Sequence, residues 1–174
     1  PGEIMFGLNM IVNKGKTVFV GDTSVHEYPS SEQLAEIAIS SARVVRLFGF
    51  EPKVAFVSHS TFGQPLTSRT KHIKNAVDIL KEKNVDFEFD GDMQPDVALN
   101  KQYKELYPFS EIVGNANILI MPGQHSAAIS YKMMKTIGDT KVIGPLLIGL
   151  GLPIEIAPLR SSTSEIINLA SIAA

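Results

Sequence analysis

The residues best suited to chemistry in this sequence fall in a few short polar segments. Ser58-His59-Ser60-Thr61-Phe62-Gly63 sets hydroxyl and imidazole side chains ahead of a glycine. Hydroxyls donate hydrogen bonds to phosphate or acyl oxygens, and glycine lets backbone N–H groups come close to an anion. The same residue types serve equally well to cap a following helix. Asp90, Asp92 and Asp96 invite a divalent metal. However, no ligand series with a closing glutamate follows, and aspartates placed this way also make turns and helix caps. His59 and His125 stand beside Ser60 and Ser126 as base and nucleophile would, but the strained Gly-x-Ser-x-Gly elbow is missing. Tyr131 and Lys132 sit near the start of an expected helix, where a lysine can face an anion or simply remain solvated. Gly144-Pro145 and Gly149-Leu150-Gly151 do not spell a dinucleotide-binding fingerprint.

Those segments need a scaffold, and hydrophobic periodicity supplies one. Met10-Ile11-Val12 and Thr17-Val18-Phe19-Val20 read as a hairpin around Asn13-Lys14-Gly15-Lys16, whose glycine tolerates positive φ. Ser30-x-x-Gln33 is a capping box, after which Leu34, Ile37, Ala38, Ala42, Val45 and Phe48 recur at helical steps up to Gly49. The run Lys53-Val54-Ala55-Phe56-Val57-Ser58 predicts a strand buried on both faces. Ile73, Ala76, Val77 and Leu80 mark a second helix, and Val85-Asp86-Phe87-Glu88-Phe89 a half-buried strand. Beyond these the pattern predicts a helix over 95–107, a strand over 117–121 and a helix over 127–137. Strands over 142–150 and 153–157 come next. Ser162-x-x-Glu165 is another capping box, opening a last helix that carries Ile166, Ile167, Leu169 and Ile172. Such alternation predicts a three-layer α/β/α domain with a largely parallel sheet. Ligands in such sheets bind beyond the carboxyl ends of strands, which points to the loops after Val57, Phe89, Met121 and Leu150.

Composition narrows the field. Sixteen Lys+Arg against 18 Asp+Glu give a formal charge of −2, so no basic field is present to hold nucleic acid. Cysteine is absent, which excludes disulfides and thiolate metal sites and fits a reducing cytoplasm. The longest apolar stretch, 142–152, is broken by glycines and a proline and is too short to span a bilayer. No signal-peptide pattern is visible. At 174 residues, 44% hydrophobic and 20% charged, the chain suits a globular domain with a full core. It opens on Pro1-Gly2-Glu3 without a starting methionine, so the expectation is a fragment of a longer protein.

Several segments in order are more specific than any one of them. Val54-Ala55-Phe56-Val57-Ser58-His59-Ser60-Thr61-Phe62-Gly63 is followed by Phe89-Asp90-Gly91-Asp92-Met93-Gln94-Pro95-Asp96-Val97-Ala98. Asn115-Ala116-Asn117-Ile118-Leu119-Ile120-Met121-Pro122, Ile129-Ser130-Tyr131-Lys132 and Ile143-Gly144-Pro145 complete the series. From about Met10 onward it resembles the phosphate acetyl/butyryl transferase family. That resemblance implies the phosphotransacetylase fold, similar to isocitrate and isopropylmalate dehydrogenases, and a homodimer. It also implies CoA and acyl phosphate in a cleft between two subdomains. Residues 1–152 would be the second subdomain, and 153–174 a tail returning to a first subdomain that this chain lacks.

Active members of the family carry an Asn-Asp-Leu-Ser-Arg-Gly type of segment in that tail. Its serine and arginine, with a nearby aspartate, serve acyl transfer. Here the serine position holds Pro158, the arginine position Leu159 and the aspartate position Glu165, while Arg160 is displaced by one. The family's asparagine-rich segment before Tyr131 reads His125-Ser126-Ala127-Ala128. This altered pattern is similar to the C-terminal region of NADP-dependent malic enzymes. So are Asp22-Thr23-x-Val25, Glu32-Gln33-Leu34-Ala35-Glu36-Ile37-Ala38 and Arg46-x-Phe48-Gly49-Phe50-Glu51-Pro52-Lys53-Val54-Ala55.

The resemblance then implies no catalytic residue in this chain. Malic and NADP-binding domains would lie upstream with NADP and a divalent metal, and the domain would assemble into a homo-oligomer. Acetyl-CoA would bind as effector along Ser58, His59, Ser60, Thr61, Gly63, Tyr131, Lys132, Pro158, Leu159, Arg160 and Ser161. Two other readings stand beside this one: an active acetyl or butyryl transferase, and a purely structural dimerisation domain.

Overall fold

The computed structural model describes residues 3–138, 140–152 and 154–173. It opens as a hairpin of β1 (Phe6–Asn13) and β2 (Lys16–Gly21), paired antiparallel with Asn13 opposite Lys16. The turn residues Lys14 and Gly15 both take positive φ, 46° and 78°, as a two-residue turn matched to strand twist requires. α1 (Ser31–Leu47) starts on the expected capping box, in which Ser30 and Gln33 each accept the other's backbone N–H through their side chains. β3 (Lys53–Val57), α2 (Ser68–Glu82) and β4 (Glu88–Met93) follow. The order continues with α3 (Pro95–Leu99), α4 (Lys101–Lys104), β5 (Ile118–Ile120), α5 (Gln124–Ile137), β6 (Lys141–Ile148) and α6 (Thr163–Ala173).

The strands form one mixed six-stranded sheet in the order β4-β3-β5-β2-β1-β6. β4, β3, β5 and β2 pair in parallel, whereas β1 runs against both β2 and β6. Side chains alternate along a strand, so a central strand feeds two cores. Val54 and Phe56 of β3 join Leu34, Ile37, Ile73 and Leu80 of α1 and α2. Ala55 and Val57 join Val97, Ala98 and Ala127 of α3 and α5 on the other face. Phe6, Phe19 and Phe56 are fully buried in the first cluster, each contributing about 1.5–3 kcal/mol over an exposed position. Among the described residues no helix is long and apolar enough to cross a membrane.

Some expected elements lie elsewhere. The strand anticipated at Val85-Asp86-Phe87-Glu88-Phe89 runs further on, as β4, so Asp90, Gly91 and Asp92 are strand residues and not a loop. Asp-Gly-Asp reads locally as a turn, but here tertiary donors satisfy both carboxylates. Asp90 accepts from the N–H groups of Gly91 and Glu111, and Asp92 from Ser60 and Gly63. Gly91 also permits close packing on β3, because a Cβ there would sit 2.7 Å from the Phe56 Cβ. The helix expected over 95–107 breaks at Asn100, whose extended backbone and side chain restart the chain as α4 by accepting the Gln102 N–H. The strand expected over 153–157 reduces, in its described residues, to one bridge between Leu146 and Glu155. Ile154 and Ile156 are both exposed there, so no apolar face binds the segment to the sheet edge. Pro153 lies outside the described residues.

Candidate functional site

The loop after β3 folds back onto the end of β4. The Ser58 N–H donates to the Met93 carbonyl (3.0 Å), the Phe62 N–H to the Asp92 carbonyl (2.6 Å) and the Gln94 N–H to the Thr61 hydroxyl (3.2 Å). The buried Asp92 carboxylate accepts from the Ser60 hydroxyl and from the Gly63 N–H at 2.9 Å. Ser58 Oγ lies 3.3 Å from Ser60 Oγ, while His59 faces solvent. Ser60, Thr61 and Gly63 therefore shape this loop, Ser60 and Gly63 by donating to Asp92 and Thr61 by accepting from Gln94. Among the described residues no group of three or more His, Asp and Glu converges as metal ligands would.

The loop after β2 is organised in the same way around Asp22, which is 1% exposed. Its carboxylate accepts the N–H groups of Gly7 (2.9 Å), Ser24 (2.8 Å), Val25 (3.1 Å) and His26 (2.7 Å), and lies 2.8 Å from His26 Nδ1. One buried acid that gathers several backbone donors fixes the local chain. The Gln124 N–H then donates to the His26 carbonyl (2.9 Å) and its side-chain amide to the Ser24 carbonyl (3.0 Å), tying this loop to the head of α5. At Gly123 a Cβ would collide with the Glu27 carbonyl oxygen, so the approach requires glycine. Sequence reasoning missed this centre. The available signal was an aspartate directly after a strand-end glycine and before Thr-Ser, the pattern of a side chain that accepts from its own following backbone.

Tyr131 sits half-buried on α5 and packs against the second core cluster, while Lys132 is exposed with Nζ 5.9 Å from the Tyr131 ring centroid. The structure brings Tyr131 together with Pro145, Pro158, Ser161 and Glu165 around a small cavity of about 60 Å³. Gly63 lines a different hollow beside α2, with Lys74 and Asp78. Leu159 and Arg160 are exposed. The tail is anchored at the start of α6, where the Ser162 N–H and hydroxyl donate to Glu165 at 2.7 and 3.0 Å, and Lys135 of α5 lies 3.0 Å away. The Ser162 backbone donor, followed by Lys135, lowers the Glu165 carboxyl from 4.5 to about 2. Glu155 shifts the other way, because burial raises its carboxyl above the ordinary value against one opposing backbone bond from Leu147.

The sequence and the fold both have known relatives. The family model described as "Phosphate acetyl/butaryl transferase" matches residues 2–174. The NADP-dependent malic enzyme of Rhizobium meliloti is 46% identical over 174 residues, covering 100% of this chain and 23% of that protein. The phosphate acetyltransferase of Bacillus subtilis is 36% identical over 166 residues, covering 94% of this chain and 51% of its own length. A phosphotransacetylase structure from Streptococcus pyogenes superposes with a TM-score of 0.92 at 29% identity, over 99% of this chain and 54% of that one. The chain thus spans about a quarter of the malic enzyme and about half of the transferases it matches. With the family model covering the sheet, both loops and the tail, this chain belongs to the phosphate acetyl/butyryl transferase family.

Proposed function

We propose that this chain is a non-catalytic regulatory and oligomerisation domain of an NADP-dependent malic enzyme, with acetyl-CoA as its effector. Upstream domains of that cytoplasmic enzyme would carry the NADP, the divalent metal and the oxidative decarboxylation of malate to pyruvate. One observation carries the non-catalytic part. By the family resemblance Pro158 and Leu159 stand where active members carry the serine and arginine of the transfer site, and both are exposed to solvent. Proline cannot polarise a thiol or donate a hydrogen bond, and leucine cannot neutralise a phosphate. Losses of this kind cost about 10²-fold or more each. For the effector part, Tyr131, Pro158 and Ser161 come together and Arg160 lies just ahead of α6, where a helix N-terminus favours anions. Lys132 and Leu159 would extend this wall, and the loop of Ser58, His59, Ser60, Thr61 and Gly63, which borders a separate hollow, would join it only across a first subdomain.

The 36% identity to a phosphate acetyltransferase favours the competing reading of an active enzyme, but identity elsewhere in the chain does not restore the two missing groups. The test is acetyl-CoA formation from acetyl phosphate and CoA. We expect no turnover above background, and rates in the ordinary enzyme range of about 1–10³ s⁻¹ would overturn the reading.

A further inference from the structure

β2 and β5 are parallel neighbours that send their connections to opposite faces of the sheet. α1 follows β2 into the cluster of Phe56, and α5 follows β5 into the cluster of Ala55. A crevice opens beyond the carboxyl ends of two such strands, and in open α/β sheets ligands bind there. In this chain the crevice is a cavity of about 500 Å³, walled by Tyr28, Arg69, His72, Pro122, His125 and Ser126 among others. That volume is within the range of about 300–1,000 Å³ that holds small molecules.

The walls are fixed by contacts within the chain. The Asp22 cradle and the Glu27–Gly123 approach hold one side. On the other side the His72 ring joins α2 to the head of α1, with Nδ1 3.0 Å from Ser31 Oγ and Nε2 2.8 Å from the Pro29 carbonyl oxygen. His72 is thus committed to structure, whereas Arg69 and His125 are not. Among the described residues neither forms an ion pair, and Glu27 is the one carboxylate in the same lining. The head of α5 adds donors there, because Gly123 provides no side-chain cap. Beside these groups Tyr28 is 82% exposed, and the exposed Pro122 lines the same cavity. An unpaired guanidinium and an imidazole suit a phosphate, and an exposed tyrosine ring suits a planar base.

We propose that this cavity binds a nucleoside phosphate, its phosphate between Arg69 and His125 and its base against Tyr28. The inference does not rest on the acetyl-CoA reading, since none of these residues belongs to the wall assigned above. The experiment is calorimetric titration of the full chain with ADP, adenosine and inorganic phosphate, using wild type, Arg69→Gln and His125→Ala. ADP should bind wild type at least about tenfold more tightly than adenosine, and Arg69→Gln should weaken it by about tenfold, the scale of one charge-assisted contact. Both side chains are exposed, so unchanged melting temperatures will confirm that the variants are folded. No ADP binding to wild type, or equal binding by wild type and both variants, overturns the proposal. A parallel titration with acetyl-CoA separates the two ideas. Acetyl-CoA binding without ADP binding overturns this inference and leaves the effector reading standing, and ADP binding without acetyl-CoA binding does the reverse.

Discussion

The loops after β2 and β3 and the tail beyond β6 are built on opposite terms. In the loops, two buried acids, Asp22 and Asp92, collect donors from the surrounding chain, so the backbone has little freedom left. In the tail, residues 154–160 touch the sheet through one bridge and leave Ile154, Ile156 and Leu159 exposed. Among the described residues α6 restores a hold on the core, through Leu169, Ile172 and the Glu165–Lys135 pair. Burying an exposed isoleucine would be worth about 1.5–3 kcal/mol, a stabilisation that the tail lacks in this chain. The segment that the family resemblance marks as altered is thus held to the sheet by few contacts.

Removing Asp22 should produce the largest effect. Asp22→Ala leaves the N–H groups of Gly7, Ser24, Val25 and His26 without this acceptor and should cost about 3 kcal/mol, measured by urea unfolding. A loss below about 1 kcal/mol would break the contrast between loop and tail. Next comes Leu169→Ala, which should cost about 2 kcal/mol and lower hydrogen-exchange protection in α6. By comparison Ile167→Ala, at a position 57% exposed, should change stability by less than about 0.5 kcal/mol. Equal effects at the two positions would show that the tail docks through a different face.

The smallest effect belongs to Glu165. Its folded carboxyl is depressed from 4.5 to about 2, so its stabilising contribution is present above pH 4.5 and lost as pH falls toward 2. The stability difference between wild type and Glu165→Gln should therefore be constant from pH 7 to 5 and shrink below that. A difference that grows on acidification would reject the assigned anchor.

What the sequence revealed followed the range of the interactions. Ser30 with Gln33, and Ser162 with Glu165, could be read directly because a capping box is complete within four residues. The hairpin turn at Lys14-Gly15 was legible for the same reason. β4 was misplaced because the partners that keep Asp90 and Asp92 in a strand, Glu111, Ser60 and Gly63, are distant in sequence. The cavity at Arg69, His72 and His125 was invisible, since the sheet order alone brings α2 and α5 to one crevice. For the transfer site the family pattern marked Pro158 and Leu159, but it placed the loop at Ser58 and the tail in one cleft. In the structure Gly63 and Pro158 line separate hollows.

The central claim, a domain that binds acetyl-CoA without transferring its acyl group, is tested most directly by calorimetric titration of acetyl-CoA into wild type and Arg160→Ala. Arg160 is exposed in the tail just before α6, where a cation and a helix N-terminus together favour a phosphate. The account predicts saturable binding by the wild type and about tenfold weaker binding by Arg160→Ala, equivalent to about 1.4 kcal/mol. Absence of acetyl-CoA binding by the wild type would contradict it.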